Sequence, residues 1–359
     1  MKVINQLKLI ENIEQAANYD LVNGNVYGSS YIVKQNGKTL FQKHYGVTGE
    51  NGIAVNDKTI FRLCSMTKPV TAFAILILVD RGMISLEDKV KKYIPKFKDE
   101  RVKIIHILSH TSGIPNCDEH TFGSMSEKQK SSPLETVNYF ANKDLLYEPF
   151  TMEAYNGVIA FDFLTVIIEK VTGEDFYSFL KREIFTPCGM DDTGFVPTSE
   201  QWSRFIQLNA KKDDKIVNVK MKENCVFEWW PCTHTLGGAG LFSTLDDYSA
   251  FAEMLLNHGV TKNGKRLLRE QTAKLMYAPV IQIKDDYCSW GLGVRVVTDE
   301  RYPFAPKGIY GWSGAYGSHF WVDPTNKITA VFMKNSKYDG GASNQSSRRF
   351  EGAVNLSFE

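Results

Sequence analysis

One stretch of this chain says most about its architecture: Phe61-Arg-Leu-Cys-Ser-Met-Thr-Lys-Pro-Val-Thr-Ala-Phe-Ala-Ile-Leu-Ile-Leu-Val-Asp-Arg-Gly82. From position 70 onward it is apolar on nearly every side, which is typical of a helix buried in the middle of a domain. Pro69 suits the first turn of that helix, and Gly82 ends it. Ser65 and Lys68 stand three apart at its start, so their side chains are predicted to leave the same face.

A serine followed three residues later by a lysine is a weak motif by itself. The chain contains a second copy at Ser178 and Lys181, where mixed polarity indicates an ordinary surface helix. The first copy differs because its helix is buried. A serine hydroxyl becomes a nucleophile only when a neighbour removes its proton, and a lysine helps only when burial or a nearby cation lowers its pKa. Ser65 and Lys68 are therefore the candidate reactive pair.

Bulk properties exclude several functions. The 359 residues suffice for a large core, and the net charge of +1 with mixed acids and bases predicts no nucleic-acid partner. The N-terminus lacks the apolar stretch of a signal peptide, and the longest apolar run is too short to span a bilayer, so we expect no membrane partner. Six scattered cysteines indicate reduced thiols in the cytoplasm rather than disulfides. No cofactor and no metal site is predicted, and the oligomeric state stays open.

The distribution of strand and helix patterns predicts an α+β fold. Residues 24–49 read as a β-hairpin around Asn36-Gly37. Helices are expected at 161–172, 174–184, 245–257 and 269–277, strands at 290–298, 315–323 and 327–335, and a mobile segment at 336–347. Strands at both ends of the chain predict one antiparallel sheet built from the two termini and flanked by helices. The α/β lobe of this single domain covers about 1–85 and 235–359, and an inserted, mainly helical lobe covers about 86–234.

Several stretches carry a family resemblance. They are, in order, Ser65-Met-Thr-Lys-Pro-Val-Thr71, Ser85-Leu-Glu-Asp-Lys-Val90, Ile107-Leu-Ser-His-Thr-Ser-Gly113, Ile167-Ile-Glu-Lys-Val-Thr-Gly173, Cys188-Gly-Met-Asp-Asp-Thr-Gly-Phe195, Gly237-Gly-Ala-Gly-Leu-Phe-Ser-Thr244 and Ser289-Trp-Gly-Leu-Gly-Val294. With them the chain resembles the serine β-lactamase-like superfamily, on the branch of class C β-lactamases, D-stereospecific peptidases and family VIII esterases. The resemblance covers about residues 20–335.

That resemblance implies a catalytic group of three side chains. Ser65 looks like the acylated nucleophile, Lys68 its partner and Tyr155 the phenol that shares the proton. Either Lys68 or Tyr155 is the base. The family commonly reads Tyr-x-Asn, whereas this chain reads Tyr155-Asn156-Gly157. Either Gly157 occupies the position of the family's asparagine, or a local bulge places the Asn156 side chain there. Asn156 is predicted to bind substrate through its side-chain amide.

A third element of the family lies on an edge strand, where a lysine or histidine normally meets the substrate carboxylate. Here the stretch reads Gly311-Trp312-Ser313-Gly314-Ala315. An indole cannot form the charge-assisted bond of a cation, so Trp312 favours a neutral acyl group. Trp312, Ser313 and Gly314 are the predicted substrate-binding residues of this strand. The resemblance implies an oxyanion hole formed by the backbone N–H groups of Ser65 and Ala315.

The sequence thus predicts a serine hydrolase that acts through an acyl-enzyme on Ser65, with a carboxylesterase acting on small or medium acyl esters favoured. A small-molecule ester or amide is the expected partner. A D-amino-acid amidase, a D-stereospecific peptidase or a weak class C-like β-lactamase is the alternative within enzymes. A catalytically inactive binding protein of the same fold is the alternative outside them.

Overall fold

A large antiparallel sheet forms the centre of the computed structural model, which describes residues 1–341 and 344–359. The strands, in chain order, are β1 (Gly28–Gln35), β2 (Lys38–Gly46), β3 (Phe61–Arg62), β4 (Asn209–Lys212), β5 (Lys215–Asn218), β6 (Cys225–Phe227), β7 (Trp230–Pro231), β8 (Phe242–Ser243), β9 (Ile281–Gln282), β10 (Cys288–Trp290), β11 (Arg295–Val297), β12 (Tyr310–Ser313), β13 (His319–Asp323) and β14 (Ile328–Met333). The central sheet has eight of these strands in the order β2-β1-β14-β13-β12-β11-β10-β9.

This strand order confirms the fold class predicted from the sequence. The N-terminal strand β1 pairs with the C-terminal strand β14 over six residue pairs, so both ends of the chain build one sheet. The β1–β2 hairpin turns at Asn36 and Gly37, whose φ angles of 52° and 74° are the left-handed values that this turn pair tolerates.

Helices cover the sheet and make up much of the segment 86–234. They are α1 (Gln6–Val22), α2 (Thr67–Asp80), α3 (Val90–Tyr93), α4 (Ile104–Leu108), α5 (Glu119–Ser124), α6 (Glu127–Lys130), α7 (Pro133–Phe140), α8 (Ala160–Thr172), α9 (Phe176–Leu180), α10 (Thr186–Cys188), α11 (Ser199–Ser203), α12 (Leu245–Leu256), α13 (Glu270–Leu275) and α14 (Gln345–Asn355). Helices α1 and α14 pack together with residues of β1 and β14 in one apolar cluster, whereas α2, α8 and α12 belong to the larger core.

The helix α2 is as buried as its composition predicts. Every residue from Thr67 to Leu78 is buried, and the helix ends at Asp80, before Gly82 with its φ of 68°. A short 3₁₀ turn, Cys64–Met66, precedes it. Ser65 therefore lies in that turn, one element before the helix that carries Lys68.

Two strand predictions were wrong in their bounds. The predicted strand 290–298 is a hairpin of β10 and β11, because Gly291 and Gly293 turn the chain between them. The predicted strand 315–323 begins only at His319, because residues 314–318 form a tight turn in which the Gly317 N–H bonds to the Gly314 carbonyl oxygen. The stretch 311–315, which the resemblance places on an edge strand, does contain the strand β12, but β12 lies inside the sheet between β13 and β11.

The two terminal helices were also missed. Helix α14 buries Ser346, Ser347 and Glu351 beside Phe350, so its inward face is too polar for an apolar pattern to reveal it. The mobility predicted for 336–347 falls partly on residues 342 and 343, which lie outside the described residues.

Candidate active site

The first two predicted site residues meet where the 3₁₀ turn enters α2. Cys64 has a φ of 48°, a left-handed value that turns the chain sharply just before Ser65. Lys68 Nζ lies 3.4 Å from Ser65 Oγ. Lys68 is fully buried, whereas Ser65 is 8% exposed.

Two backbone carbonyl oxygens hold the amine of Lys68. Lys68 Nζ donates to Gly157 O at 2.6 Å and to Gly238 O at 2.9 Å. Burial lowers the pKa of Lys68 to about 7, against a smaller raising effect of the Asp162 carboxylate. A neutral amine has two hydrogens and one lone pair. In that neutral form the two hydrogens can serve the two carbonyl oxygens, which leaves the lone pair for the proton of Ser65 Oγ.

A buried contact between Asp162 and His234 holds the loop that carries one of those carbonyls. The Asp162 carboxylate accepts the Gly237 N–H at 2.9 Å, and its other oxygen lies 2.8 Å from His234 Nε2. A Cβ at Gly237 would lie 2.3 Å from the Thr165 hydroxyl oxygen, so only glycine permits this close approach. The sequence did not predict Asp162 and His234 as site residues, because nothing in the spacing of positions 162 and 234 shows that they are in contact.

Tyr155 completes the group around Ser65. Its hydroxyl forms a hydrogen bond with Ser65 and accepts another from Trp312 Nε1 at 3.2 Å. Burial raises the pKa of Tyr155 to about 12. The residue as a whole is 39% exposed, but its hydroxyl is the inner end, directed at Ser65 and Trp312. A pKa raised in this way keeps the phenol protonated at neutral pH.

Aromatic rings form one wall of the cleft. Trp290 stacks on Tyr155 with ring centroids 5.7 Å apart, and Trp312 packs against both rings. The Trp290 indole donates to the Glu153 carboxylate, which orients it. Trp290 lies in a stretch that carries the family resemblance, but sequence reasoning did not assign it to the site, because an indole signals no chemistry without its neighbours.

His110 lies behind this wall in a structural role. Its φ of 57° places it in a turn, and its Nδ1 accepts the Asn156 N–H at 3.4 Å. Burial, with a smaller effect of Lys68, lowers the pKa of His110 well below 6.5, so the ring is neutral. The nearest polar partner of its ring is backbone, and the ring packs among Tyr155, Phe161 and Trp290.

Two predicted substrate-binding side chains are turned away from the cleft. Ser313 faces the other side of the sheet, because side chains alternate along β12, and its hydroxyl lies 2.7 Å from His319 Nδ1. Asn156 is buried, with its amide nitrogen donating to Ile114 O and its amide oxygen accepting the Ala160 N–H. Its place near Lys68 is taken by the backbone carbonyl of Gly157. The assignments of Ser313 and Asn156 to substrate are corrected accordingly.

The turn after β12 approaches the nucleophile closely. A Cβ at Gly314 would lie 2.3 Å from the Leu63 carbonyl oxygen, so glycine allows this turn to sit against the 3₁₀ turn. The backbone N–H of the next residue, Ala315, reaches the Cys64 thiol. Ala315 is exposed, and its part in an oxyanion hole with the Ser65 N–H stays a prediction.

Over residues 1–341 and 344–359 there is no group of three His, Cys, Asp or Glu side chains arranged to hold a metal ion. The cysteines at 64, 117, 188, 225, 232 and 288 are all unpaired thiols. No helix in the same residues is both long enough and apolar enough to cross a bilayer.

Comparisons with known proteins agree with this architecture. Residues 9–352 match the model of the family described as Beta-lactamase. The chain is 26% identical to Esterase EstB of Burkholderia gladioli over 87% of each chain. It is 27% identical to a putative D-alanyl-D-alanine carboxypeptidase of Salmonella agona, over 89% of this chain and 79% of that protein. Among solved structures it is similar to "EstCE1, a hydrolase with promiscuous acyltransferase activity", with a TM-score of 0.84, 22% identity and coverage of 97% and 99%.

Proposed function

This chain belongs to the beta-lactamase family and is a serine hydrolase, and from that premise we propose that it is a carboxylesterase whose acyl-enzyme forms on Ser65. Ser65, Lys68 and Tyr155 are its proposed catalytic residues. Substrates are small or medium acyl esters without a carboxylate next to the scissile bond.

The contact of Trp312 with Tyr155 carries this proposal. The Trp312 N–H is directed at the Tyr155 oxygen at 3.2 Å, so it is not available to a substrate carboxylate. Its ring adds to the apolar wall formed with Trp290 and Tyr155. A neutral acyl group fits such a wall, whereas a carboxylate would lose hydration there without gaining a charged partner. The esterase name of the Burkholderia relative supports the same choice.

In the proposed reaction the neutral amine of Lys68 takes the proton of Ser65 as Oγ attacks the ester carbonyl carbon. The carbonyl electron pair moves to its oxygen, where the backbone N–H groups of Ser65 and Ala315 stabilise the negative charge. As the intermediate collapses, the alkoxide leaves with a proton from the Tyr155 hydroxyl, and the Lys68 ammonium restores that proton. Water then attacks the acyl-enzyme by the same route and releases the acid.

Comparing two substrate types tests the proposal. We expect short p-nitrophenyl esters to be hydrolysed with a much larger kcat/KM than a chromogenic cephalosporin. The Ser65→Ala variant is the matched control, and it should lose ester hydrolysis and labelling by a fluorophosphonate probe. Faster cephalosporin cleavage would overturn the esterase assignment. A wild-type protein that the probe does not label would favour the inactive binding protein.

The second candidate is a D-amino-acid amidase or D-stereospecific peptidase. The carboxypeptidase name of the Salmonella relative is the observation that favours it. Turnover of D-alanyl amides at rates above those of the esters would select it. The unpaired cysteines support the cytoplasm as the proposed location, which fractionation of the native cells tests.

A further inference from the structure

Gly157 leaves an open position beside the proposed catalytic group. Its carbonyl oxygen accepts from Lys68 Nζ at 2.6 Å, so its backbone is fixed next to the amine. A Cβ built on Gly157 would meet two atoms within 4 Å, Asn116 Nδ2 at 3.4 Å and Tyr155 Cε1 at 3.9 Å. The side-chain amide of Asn116 therefore occupies the edge of the space where a side chain at position 157 would lie.

A backbone hydrogen bond sets the direction of that amide. The Val158 N–H donates to Asn116 Oδ1 at 3.2 Å. Because an N–H group needs an oxygen acceptor, this contact fixes which end of the amide is the oxygen and turns the NH₂ group toward Gly157 and Tyr155. Asn116 is exposed, and within the described residues its NH₂ group donates to no protein acceptor. It is an oriented donor next to Gly157 and the Tyr155 ring.

We propose that Asn116 is a substrate-binding residue that donates a hydrogen bond to a carbonyl oxygen in the acyl part of the ester, a few bonds from the scissile carbonyl. This inference rests on the proposed esterase function. It names the preferred substrate class as acyl esters that carry a second carbonyl group, such as a keto or acylamino group. Asn156, the adjacent asparagine of the catalytic loop, cannot serve this purpose because both ends of its amide bond to backbone.

A matched pair of esters isolates this interaction. The probes are p-nitrophenyl pentanoate and p-nitrophenyl 4-oxopentanoate, which differ by one carbonyl group. In Asn116→Asp the oxygen that accepts from Val158 is retained and the donor is lost, whereas in Asn116→Ala both are lost. For each variant we measure kcat/KM for the oxo ester divided by kcat/KM for the plain ester. This ratio cancels any change in the reactivity of Ser65 or in the pKa of Lys68.

Loss of one neutral hydrogen bond should lower this ratio roughly 3- to 10-fold in both variants. The control Asn142→Ala, at an exposed asparagine after α7, should leave it at the wild-type value. An unchanged ratio in Asn116→Asp and Asn116→Ala, with wild-type turnover of the pentanoate intact, would overturn the role of Asn116 and leave the esterase function standing. A wild-type protein that hydrolyses neither ester would overturn both.

Discussion

At the scale of single residues, the environment of Lys68 explains how an ordinary lysine becomes a base. Two carbonyl oxygens bind its hydrogens, and full burial lowers its pKa to about 7. Tyr155 has the opposite response to the same surroundings, because burial disfavours the charged phenolate and raises its pKa to about 12. Environments that separate two pKa values in this way support the proposed roles of Lys68 as the base and Tyr155 as the proton donor.

The first prediction concerns pH. Because the neutral form of Lys68 is the proposed base, kcat/KM for p-nitrophenyl butyrate should rise about tenfold per pH unit at acidic pH and level off above about pH 8. A pH–rate profile from about pH 5.5 to about pH 9.5 measures it. The Lys68→Arg control should be inactive throughout, since arginine stays protonated. A rate that continued to rise to the alkaline limit would instead indicate a Tyr155 phenolate as the base.

The second prediction concerns the Trp312 N–H. Trp312→Phe retains an aromatic ring in the wall but removes the hydrogen bond to the Tyr155 oxygen. We expect kcat for a short ester to fall roughly 3- to 30-fold with little change in KM, because the bond orients the proton donor rather than the substrate. Trp202→Phe, in a separate apolar cluster, is the control. A change in KM alone would show that Trp312 acts through substrate contact.

The sequence predicted only some of the residues in the candidate site correctly. Ser65 and Lys68 could be found because both belong to one short motif at the start of a buried helix. Ser313 could not be placed correctly, since the face it occupies depends on the register of β12, which the motif alone does not give. Asp162 and His234 are 72 positions apart, and only the fold brings them together.

At the scale of elements, the cleft depends on close approaches that glycine allows. The turn after β12 rests on the 3₁₀ turn through Gly314, and the Gly237 backbone rests on α8. The sequence predicted the hairpin β1–β2 and helix α2 well, because turn chemistry and apolar composition are local signals. The sequence could not predict which glycines allow two elements to approach closely. A loop glycine that makes such a contact cannot be distinguished, by its neighbours in the sequence, from one that only forms a turn.

The third prediction compares two glycine-to-alanine changes. In Gly314→Ala the new methyl group would lie 2.3 Å from the Leu63 carbonyl oxygen, so the turn must move away from Ser65. We expect kcat/KM to fall roughly 10- to 100-fold, the cost of misplacing groups by about 1 Å. Gly352, inside helix α14, has no atom within 4 Å of an added Cβ. Gly352→Ala should keep full activity and raise stability by about 0.5–1 kcal/mol. Equal activity of the two variants would contradict the proposed contact.

At the scale of the whole molecule, the C-terminal helix is tied to the sheet by a buried polar network. Glu351 of α14 accepts from Tyr302 at 2.6 Å and lies 3.0 Å from His319 Nε2 and 3.2 Å from Arg295. His319 in turn contacts Ser313, the neighbour of Trp312 on β12. The network thus joins the last helix to the strand that borders the cleft. Because both termini share one sheet, its loss should affect the entire fold.

The fourth prediction tests that coupling through Glu351. Glu351→Ala removes the buried carboxylate that contacts Arg295, His319 and Tyr302, and we expect the free energy of unfolding to fall by about 3–5 kcal/mol. Glu11→Ala, on the exposed face of α1, should change it by less than about 0.5 kcal/mol. Denaturant melts followed by far-UV circular dichroism and by tryptophan fluorescence should give coincident midpoints in both variants. Two separated transitions in Glu351→Ala would show that the helix unfolds without the sheet.

The same network has a defined pH dependence. Burial raises the pKa of Glu351, but the His319 and Arg295 side chains and the Tyr302 hydroxyl outweigh it, so its pKa in the folded protein lies below the ordinary value of 4.5. A carboxyl group shifted in this direction stabilises the fold above its unfolded pKa and loses that contribution as the pH falls through its folded pKa. The stability difference between the wild-type protein and Glu351→Gln should therefore be full near neutral pH and shrink below about pH 4.5. If the stability difference between the two proteins stayed constant down to acidic pH, the network would stabilise the sheet through packing and hydrogen bonds rather than through the charge of Glu351.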